Sequence, residues 1–343
     1  MIIQSIELNN FRNYENLQIS FDEGTNILFG DNAQGKTNIL EAAYLSGTTK
    51  SHKGSKDKEM HLKHNRSKGI AVNKIPMKKA SELFGILNIV FFSPEDLNII
   101  KNGPSERRHF LDAELCQLDK IYLSDLSNYN KILNQRNKLL KDMVYRPELS
   151  DTLPVWDMQL ADTGKKIIRR REQFVKELNE IVHEIHYRIS GGREELFLSY
   201  EPSVSADLLE QELERVKPRD LKQCQTSVGP HRDDLLFSIA GVDIRKFGSQ
   251  GQQRTSALSL KLSEIELVRK SIHDTPVLLL DDVLSELDSN RQNYLLNSIC
   301  DTQTIITCTG LDEFIRNRFE INKVFEVISG QVFEKGQVIE RQG

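Results

Sequence analysis

A glycine-rich segment that ends in lysine and threonine carries the clearest chemistry in this sequence. Its residues are Gly30, Asp31, Asn32, Ala33, Gln34, Gly35, Lys36 and Thr37. The glycines allow the backbone to curl so that successive N–H groups point at one anion, and a helix that begins after the segment adds the positive end of its dipole. In such a P-loop the lysine reaches the β- and γ-phosphates, and the threonine hydroxyl binds Mg²⁺. The apolar run before the segment favours this interpretation over an incidental turn, so we expect a nucleotide site in which Lys36 is catalytic.

Two aspartates follow an apolar run of four residues later in the chain. Residues 277–280 predict a buried strand, and Asp281 and Asp282 stand at its carboxyl end, where α/β sheets place ligand groups. We expect Asp281 to bind Mg²⁺ together with Thr37, and Asp282 to act catalytically by positioning or polarising the attacking water. A pair of acids in this place can also be a helix N-cap. The P-loop elsewhere in the chain favours catalysis.

A second segment of small and amide residues precedes a long helical pattern. Its members are Ser249, Gln250, Gly251 and Gln252. Such residues at the start of a helix can build an anion site. Since the P-loop already holds one nucleotide, we expect this segment to act in trans, on the γ-phosphate of a nucleotide bound by a partner chain. The alternative is a polar loop that only caps the helix.

The charge of the chain is unevenly distributed. Its 343 residues carry a net charge of −4, yet residues 50–79 hold ten Lys and Arg residues against two acids, a local charge of +8. A basic strip on an acidic body is typical of an anion-binding face, so we predict DNA contacts at Lys53, Lys56 and Lys58. A solvated basic loop is the alternative, and the basic run at residues 165–171 offers another place for DNA.

Composition limits the class of protein. Hydrophobic residues make up 38% and charged residues 28% of the chain, as in globular proteins. The apolar runs are too short to cross a bilayer, and the first residues lack the pattern of a secretory signal. Four cysteines are scattered without a CxxC pair, which favours reduced thiols. We therefore expect a cytoplasmic protein with no membrane contact.

Apolar periodicity predicts strands towards both ends of the chain and helices in its middle. Alternation up to residue 21 indicates two strands with a turn near Arg12, and a helix is expected from Lys36. Further strands are predicted at residues 26–29, 86–92, 277–280, 304–307, 324–328 and 337–339. Between residues 105 and 190, apolar residues recur at three- and four-residue steps in two stretches, with a proline-containing break at 145–154. We expect two helices, each a few turns long, that fold back on each other.

These elements predict an α/β protein in which a helical lobe interrupts the nucleotide-binding fold. The expected boundaries place a split ATPase lobe at residues 1–104 and 225–343, and an inserted antiparallel helical lobe at residues 105–224. The sequence lacks the sustained heptads that a long coiled coil would need.

The order of these motifs resembles that of ATP-binding cassette ATPases: a P-loop, Ser249 to Gln252, a strand that ends in two aspartates, and then Leu287-Asp288. More narrowly, the chain resembles the RecF family, which is related to the heads of SMC proteins. The stretches that carry the resemblance are residues 8–14, 35–38, 92–97, 107–112, 229–234 and 249–254. They run nearly from end to end, and several are specific to that family. The resemblance implies an SMC-head-like P-loop ATPase with an inserted helical lobe, and it adds Arg12 and Asn38 to the expected nucleotide contacts.

A member of that family is expected to bind ATP and Mg²⁺, to form a homodimer on ATP and to hydrolyse it slowly. The resemblance implies a weak, DNA-stimulated ATPase activity that serves as a dimerisation switch. It also implies double-stranded, gapped or junction DNA as a ligand and RecR as a partner, with RecO and the RecA recombinase in the same repair and replication pathway. An ATPase subunit of another cassette system, such as a membrane transporter, is the alternative. The short helical lobe and the basic strip favour the DNA-binding function.

Two features depart from the usual cassette pattern. Residues 93–96 contain no glutamine, and the strand that follows Asp288 ends in Thr-Cys-Thr at residues 307–309, where a switch histidine is common. Two contacts to the γ-phosphate would then be weaker, which fits slow hydrolysis. The polar turn at residues 231–234 is compatible with a place near nucleotide or DNA, and equally with a salt-bridged turn.

Overall fold

Short segments rich in apolar residues form the parallel strands of the central sheet. The computed structural model describes residues 1–48, 71–72, 75–76, 85–299, 301–311 and 320–335. The strands in these ranges are β1 Ser5–Phe11, β2 Tyr14–Ser20, β3 Thr25–Phe29, β4 Ala71–Val72, β5 Ile75–Pro76, β6 Ile89–Phe92, β7 Leu196–Glu201, β8 Asp234–Ile239, β9 Val242–Asp243, β10 Val277–Asp281, β11 Thr304–Cys308, β12 Lys323–Ile328 and β13 Gln331–Lys335. The helices are α1 Lys36–Thr48, α2 Leu97–Lys101, α3 Pro104–Leu118, α4 Lys120–Asp142, α5 Leu153–Ile189, α6 Leu209–Gln223, α7 Ile244–Phe247, α8 Gln250–Ile272 and α9 Ser289–Ser298.

Six of the described strands form one sheet in the order β13-β12-β3-β11-β10-β6. All neighbouring pairs are parallel except β12 and β13, which are antiparallel. Nearly all residues of β3, β6, β10 and β11 are buried, as expected of a parallel sheet that is covered on both faces. β11 lies between β3 and β10. It therefore separates the strand that leads into the P-loop from the strand that ends at Asp281.

The structure confirms most of the predicted strands, moves the start of one and adds others, β8 and β13 among them. β1 and β2 form a hairpin, and β3, β10, β11 and β12 lie where the sequence predicts strands. β6 begins at Ile89 instead of residue 86, because a turn in which Gly85 has a φ of 78° precedes it. β13 is not among the predicted strands. Ser329 and Gly330 both have positive φ and form the two-residue turn that joins β13 to β12. The strand predicted at 337–339 lies outside the described residues.

The chain divides into two compact units. Unit 1 comprises Met1–Asp96 and Leu258–Gly343, and unit 2 comprises Leu97–Ala257. These limits differ from the predicted boundaries because the sheet β7-β8-β9 belongs to unit 2. β8 pairs with β7 along its full length, and Arg107 of α3 binds the carboxylate of Asp234 at the start of β8 (2.6 Å). Residues 249–252, at the start of α8, therefore fall in unit 2.

Two long helices of unit 2 lie antiparallel. Arg136 of α4 contacts Asp157 of α5 (2.6 Å), and Tyr122 of α4 contacts Arg171 of α5 (3.0 Å), so the contacts run in opposite order along the two helices. The predicted antiparallel pair is confirmed, but the expectation of helices only a few turns long is wrong. α5 has 37 residues, which is about 55 Å of continuous helix. Its apolar stripe continues beyond α4 because the second half packs on β7, where Asn179 accepts a backbone N–H of the strand (2.7 Å).

Buried arginines stabilise unit 2 through paired carboxylates. Arg107, Arg136 and Arg171 are each at most 2% exposed. The pairs are Arg107–Asp234, Arg136–Asp157, Arg136–Asp220, Arg171–Asp112 and Arg171–Asp233. A buried charge is tolerated when it is paired and hydrogen-bonded, and loss of one partner leaves the other uncompensated. The polar turn at residues 231–234 contributes two of these acids, which supports the interpretation as a salt-bridged turn.

His231 belongs to the same turn and is neutral in the folded chain. Its Nδ1 atom lies 2.7 Å from the hydroxyl of Tyr129, and its Nε2 atom lies 3.1 Å from the carbonyl oxygen of Thr226. One neutral tautomer satisfies both contacts: the tyrosine donates to Nδ1, and Nε2–H donates to the carbonyl. Burial lowers the pKa of His231 to about 4, and the cations of Arg232 and Arg108 act in the same direction.

The stability of the folded chain should therefore decrease as the pH falls from 6.5 towards 4. In that range unfolded His231 takes up a proton and folded His231 does not. We expect His231 to lower the free energy of unfolding by about 2 kcal/mol at pH 5 relative to pH 7. Chemical unfolding of the wild type and of His231→Gln at both pH values measures it, and the variant should lose this component. Burial raises the pKa of Asp96 to about 6, so this group makes the fold more stable as the pH falls. That contribution is the same in the wild type and in His231→Gln, and it cancels when the two are compared. Equal pH dependence of the two proteins would refute the assignment.

Candidate nucleotide site

The P-loop connects β3 to α1 through a backbone that only glycine adopts easily at two positions. Gly30 has a φ of 147° and Gly35 a φ of 111°. A Cβ atom at Gly30 would lie 2.4 Å from the carbonyl oxygen of Val327, and one at Gly35 would lie 2.4 Å from Nδ2 of Asn13. Any side chain at either position would displace the loop. The glycines expected from the motif are therefore required by the observed curl.

The hairpin turn between β1 and β2 holds one side of the loop. Asn13 donates from Nδ2 to the carbonyl oxygen of Gln34 (3.4 Å) and accepts from Nδ2 of Asn38 (2.7 Å). The hydroxyl of Tyr14 donates to the carbonyl oxygen of Gly35 (3.1 Å). Burial raises the pKa of Tyr14 to about 12, so this hydroxyl keeps its proton at neutral pH. Asn38, expected among the nucleotide contacts, bonds through its side chain to Asn13, and its contact with nucleotide stays a prediction.

The turn between β12 and β13 holds the other side. The backbone N–H of Ser329 donates to Oε1 of Gln34 (2.5 Å), and that of Gly330 donates to the carbonyl oxygen of Gln34 (3.1 Å). Contacts within the chain itself thus fix the loop, which lowers the ordering cost of binding a phosphate. Asp31, Asn32 and Ala33 form its exposed crest.

Lys36 lies inside the curl of the loop. Its Nζ atom donates to the carbonyl oxygens of Gly30 (2.5 Å) and Asp31 (2.7 Å), and the residue is only 8% exposed. Burial lowers the pKa of Lys36, and the carboxylates of Asp282 and Asp281 oppose that effect by favouring the ammonium form. The loop therefore encloses a point charge that can donate to phosphate oxygens.

Two threonine hydroxyls meet on one carboxylate oxygen of Asp281. Thr37, at the start of α1, donates to Oδ1 (2.9 Å), and Thr307, in β11, donates to the same atom (2.7 Å). Hydroxyl and carboxylate oxygens are the ligands that Mg²⁺ prefers. The ranges that the structure describes contain no group of three or more His, Cys, Asp or Glu residues that could hold a metal ion. An ion between Thr37 and Asp281 would therefore complete its shell with phosphate oxygens and water, as is usual for Mg²⁺.

Thr307 is not among the site residues expected from the sequence, where the absence of a histidine is the only feature that marks its neighbourhood. Its hydroxyl donates to Asp281 and also accepts from the backbone N–H of Asp282 (3.1 Å). Thr307 can do both because β11 lies between β3 and β10. A threonine at the carboxyl end of an apolar strand is the signal, but only the strand order makes it informative.

Asp282 has a left-handed backbone, with a φ of 53°. A conformation of this kind costs on the order of 1 kcal/mol or more for a non-glycine residue and is concentrated at functional sites. The following helical turn, Leu284–Glu286, has Val283 at its N-cap position. No N–H group of the described residues donates to the carboxylate of Asp282. The alternative of a helix cap is therefore not observed, and the carboxylate is available to act on a water molecule.

Arg12 does not project freely from the β1–β2 turn. It forms a two-pronged ion pair with the buried carboxylate of Glu41 in α1, at 3.1 Å and 2.8 Å. The residue has a φ of 54°, so the turn itself directs the guanidinium towards α1. The contact of Arg12 with nucleotide stays a prediction.

The segment at the start of α8 forms a reciprocal cap in unit 2. The N–H of Gln252 donates to Oγ of Ser249 (3.1 Å), and the N–H of Ser249 donates to Oε1 of Gln252 (2.9 Å). This is the capping-box arrangement. Because Oγ only accepts in this pair, its own proton stays available for another acceptor. Ser249, Gln250 and Gly251 are exposed, and a Cβ atom at Gly251 would meet only the Ser249 hydroxyl, at 3.8 Å. The cap alternative is thus present, and it leaves the hydroxyl proton of an exposed residue available.

Two further expectations concern other parts of the chain. Lys53, Lys56 and Lys58 lie outside the described residues. Within the described ranges, no helix combines the length and the apolar character that a membrane span requires.

Comparison with known proteins gives a consistent picture over nearly the whole chain. The family model described as the RecF/RecN/SMC N terminal domain matches residues 2–331. The DNA replication and repair protein RecF of Agathobacter rectalis is 70% identical, over 97% of this chain and 99% of that protein. RecF of Lachnospira eligens is 59% identical, again over 97% and 99%.

Solved structures agree with the sequence comparison. A structure of the recombination mediator protein RecF-ATP in the RecFOR pathway is 36% identical and superimposes with a TM-score of 0.89, covering 97% of each chain. The Smc head domain of Pyrococcus furiosus is 17% identical with a TM-score of 0.52, a likeness that concerns the fold alone. The expected SMC-head-like α/β fold with a P-loop is therefore confirmed.

Proposed function

This chain belongs to the RecF family of DNA replication and repair proteins, and from that premise we propose that it is an ATP-driven dimer that binds gapped or junction DNA. In this role it helps RecR and RecO to load the RecA recombinase. The observation that carries the proposal is the convergence of Thr37 and Thr307 on Asp281 beside the buried amine of Lys36. Family membership also removes the alternative of a transporter subunit.

Different residues of unit 1 bind ATP and promote its hydrolysis. The N–H groups of the loop and the ammonium of Lys36 bind the phosphates, and Thr37 and Asp281 hold Mg²⁺. Bound Mg²⁺ neutralises charge on the β- and γ-phosphates. Asp282 accepts a hydrogen bond from the attacking water and orients it. The hydroxyl of Thr307 bonds to the carboxylate of Asp281 and to the backbone N–H of Asp282, and it thereby fixes the positions of the two aspartates relative to each other. Since residues 93–96 and 307–309 offer neither glutamine nor histidine to the γ-phosphate, we propose slow turnover that DNA stimulates.

Replacing Asp282 with asparagine should slow hydrolysis by about 100-fold or more while ATP and Mg²⁺ stay bound. The amide keeps the size of the side chain but is a poor acceptor for a proton of water, whereas Asp281 still holds the metal. Phosphate release under saturating ATP measures turnover, and titration with a fluorescent ATP analogue measures binding. Asp301→Asn, at an exposed aspartate of the same unit, is the matched control. A wild-type rate in Asp282→Asn would mean that the residue has no catalytic role.

The dimer follows from the two phosphate-binding segments. We propose that each ATP lies between the P-loop of one chain and Ser249 of its partner, where the outward hydroxyl proton donates to the γ-phosphate. A twofold axis makes the two contacts equivalent. Since ADP has no γ-phosphate, it should support the dimer weakly or not at all. Support for this proposal comes from the exposed, capped start of α8, which keeps Gly251 uncovered.

DNA binding by the basic strip stays a proposal from the sequence. Replacing Lys53, Lys56 and Lys58 with glutamate should weaken binding about equally on all DNA sequences and reduce the salt slope by about three. Fluorescence anisotropy with gapped and duplex probes, with ATP or ADP and at several salt concentrations, measures both effects. The matched control changes three exposed lysines of unit 2, Lys131, Lys138 and Lys176, to glutamate. An unchanged affinity and salt slope would move the DNA contacts away from the strip.

The second basic run is a weaker candidate for that role. Its cations are paired with carboxylates of the same unit: Lys165 with Glu210, Lys166 with Asp162, Arg169 with Asp207, Arg170 with Asp119 and Arg171 with Asp112. Arg171 is also buried. A phosphate would have to compete with an acid at each position, so the run contributes less electrostatic attraction than its sequence indicates.

A further inference from the structure

A tight turn at the end of α5 presents one carboxylate towards the start of α8. Gly191 and Gly192 have positive φ, and the N–H of Gly192 donates to the carbonyl oxygen of Tyr187 (2.8 Å). The Ser190 hydroxyl accepts the N–H of Glu194 (3.1 Å) and donates to its carbonyl oxygen (3.2 Å). Backbone groups and the Ser190 hydroxyl fix this turn without the side chain of Glu194. The side chain of Glu194 is thus free to serve another purpose.

The carboxylate of Glu194 joins two helices of unit 2. Its Oε1 atom accepts from Nε2 of Gln252 in the first turn of α8 (2.9 Å). Its Oε2 atom lies 3.6 Å from Nε2 of His186, a buried residue in the last turn of α5. The charge is therefore placed between the end of the 37-residue helix and the segment that carries Ser249.

The side-chain amide of Gln252 transmits this contact to Ser249. Its oxygen accepts the N–H of Ser249, and its nitrogen donates to Glu194. An amide turned by 180° would present its NH₂ to an N–H and its oxygen to a carboxylate, and both contacts would be repulsive. Glu194 thus selects the one amide orientation that completes the reciprocal cap. Without the carboxylate, only the N–H of Ser249 would hold the amide in this orientation.

We propose that Glu194 is a positioning residue for the segment Ser249 to Gln252. It orients Gln252, which in turn sets the direction of the Ser249 hydroxyl towards the γ-phosphate of the partner's nucleotide. The inference rests on the proposed function of this segment in the ATP-bound dimer. It adds a residue that lies 55 positions before Ser249 in the sequence and outside the motif itself.

The first test compares three variants by sedimentation with ATP and Mg²⁺. Glu194→Ala should raise the apparent dissociation constant of the dimer about tenfold or more, because a misdirected Ser249 hydroxyl would form a weaker hydrogen bond to phosphate at each of two equivalent joints. Its affinity for ATP as a monomer should stay within about twofold, because the P-loop lies in unit 1. Glu194→Gln should restore most of the dimer, since its amide oxygen accepts the same bond. Glu195→Ala, at the exposed neighbouring acid, should match the wild type.

The second test exchanges the two side chains and does not depend on how Glu194→Ala folds. Gln252→Glu keeps a capping box with Ser249 but sets two carboxylates against each other, so the dimer should weaken. Adding Glu194→Gln should recover it, because the amide then donates to the new carboxylate. A purely structural role of Glu194 predicts no such rescue. Wild-type dimerisation of Gln252→Glu, or a double variant no better than Gln252→Glu alone, would overturn the proposal.

One comparison separates this inference from the function on which it rests. If Ser249→Arg still dimerises on ATP, the in-trans site itself is wrong. If Ser249→Arg stays monomeric while Glu194→Ala dimerises like the wild type, only the positioning role of Glu194 is wrong.

Discussion

Lys36→Met should abolish tight ATP binding, with a loss of affinity of about 100-fold or more. The ammonium lies inside the loop with two carbonyl oxygens as its acceptors, and a triphosphate offers stronger, charged acceptors to the same atom. Hydrogen bonds to charged groups contribute about 1.5–3 kcal/mol each, and a lysine here reaches two phosphates. Methionine keeps a flexible apolar stem of similar length, so the packing around the stem should survive.

The same geometry predicts the effect on stability. Burial lowers the pKa of Lys36, which means that the fold holds this cation at a cost. Removal of the charge should therefore leave the melting temperature of the ATP-free protein unchanged or raise it. Calorimetric titration with ATP and thermal unfolding without it measure the two effects on one sample. Lys270→Met, at an exposed lysine of α8, is the control. Wild-type ATP affinity in Lys36→Met would refute the P-loop assignment.

The nucleotide site was predictable where its parts are contiguous in sequence. Gly30, Gly35 and Lys36 form one motif between a strand and a helix, so local rules determine the cradle. Asp281 is remote but ends an apolar strand, which is a local signal of the carboxyl edge of a sheet. Thr307 also lies at the carboxyl end of a predicted strand, but that position alone does not identify its partners. Its hydroxyl reaches both aspartates only because β11 is inserted between β3 and β10. The order of strands in a sheet cannot be predicted from the local periodicity of the sequence.

Other contacts were unpredictable for the same reason. Glu194 and Gln252 are joined by a turn and a helix start that the sequence places 58 residues apart. Arg12 was assigned to nucleotide by resemblance, whereas its bond to Glu41 depends on a left-handed residue in a hairpin turn. The length of α5 was underestimated because its partners change along its course, from α4 to β7. When an apolar stripe is interpreted as packing on one partner helix, it predicts only the part of the helix that contacts that partner.

Ser249→Arg should abolish the ATP-induced dimer and leave ATP binding to the monomer nearly intact. Arginine removes the hydroxyl that would donate to the γ-phosphate and adds a long side chain at an exposed position of the proposed joint. Because a twofold dimer contains the joint twice, a loss of about 1.5–3 kcal/mol at each one corresponds to a decrease in dimer affinity of about 100-fold or more. Hydrolysis that requires the dimer should fall with it. Sedimentation with ATP and with ADP measures the dimer.

Ser249 also caps α8, so a second substitution has to separate the cap from the phosphate contact. Ser249→Asp is as good an N-cap as serine and accepts the same N–H of Gln252. However, its negative charge would face the γ-phosphate of the partner's nucleotide. If Ser249 only caps the helix, Ser249→Asp should dimerise like the wild type. If the hydroxyl contacts the γ-phosphate, Ser249→Asp should be as defective as Ser249→Arg while its melting temperature stays close to that of the wild type. A dimer as abundant as the wild type's in both variants would mean that the segment is a helix cap and nothing more.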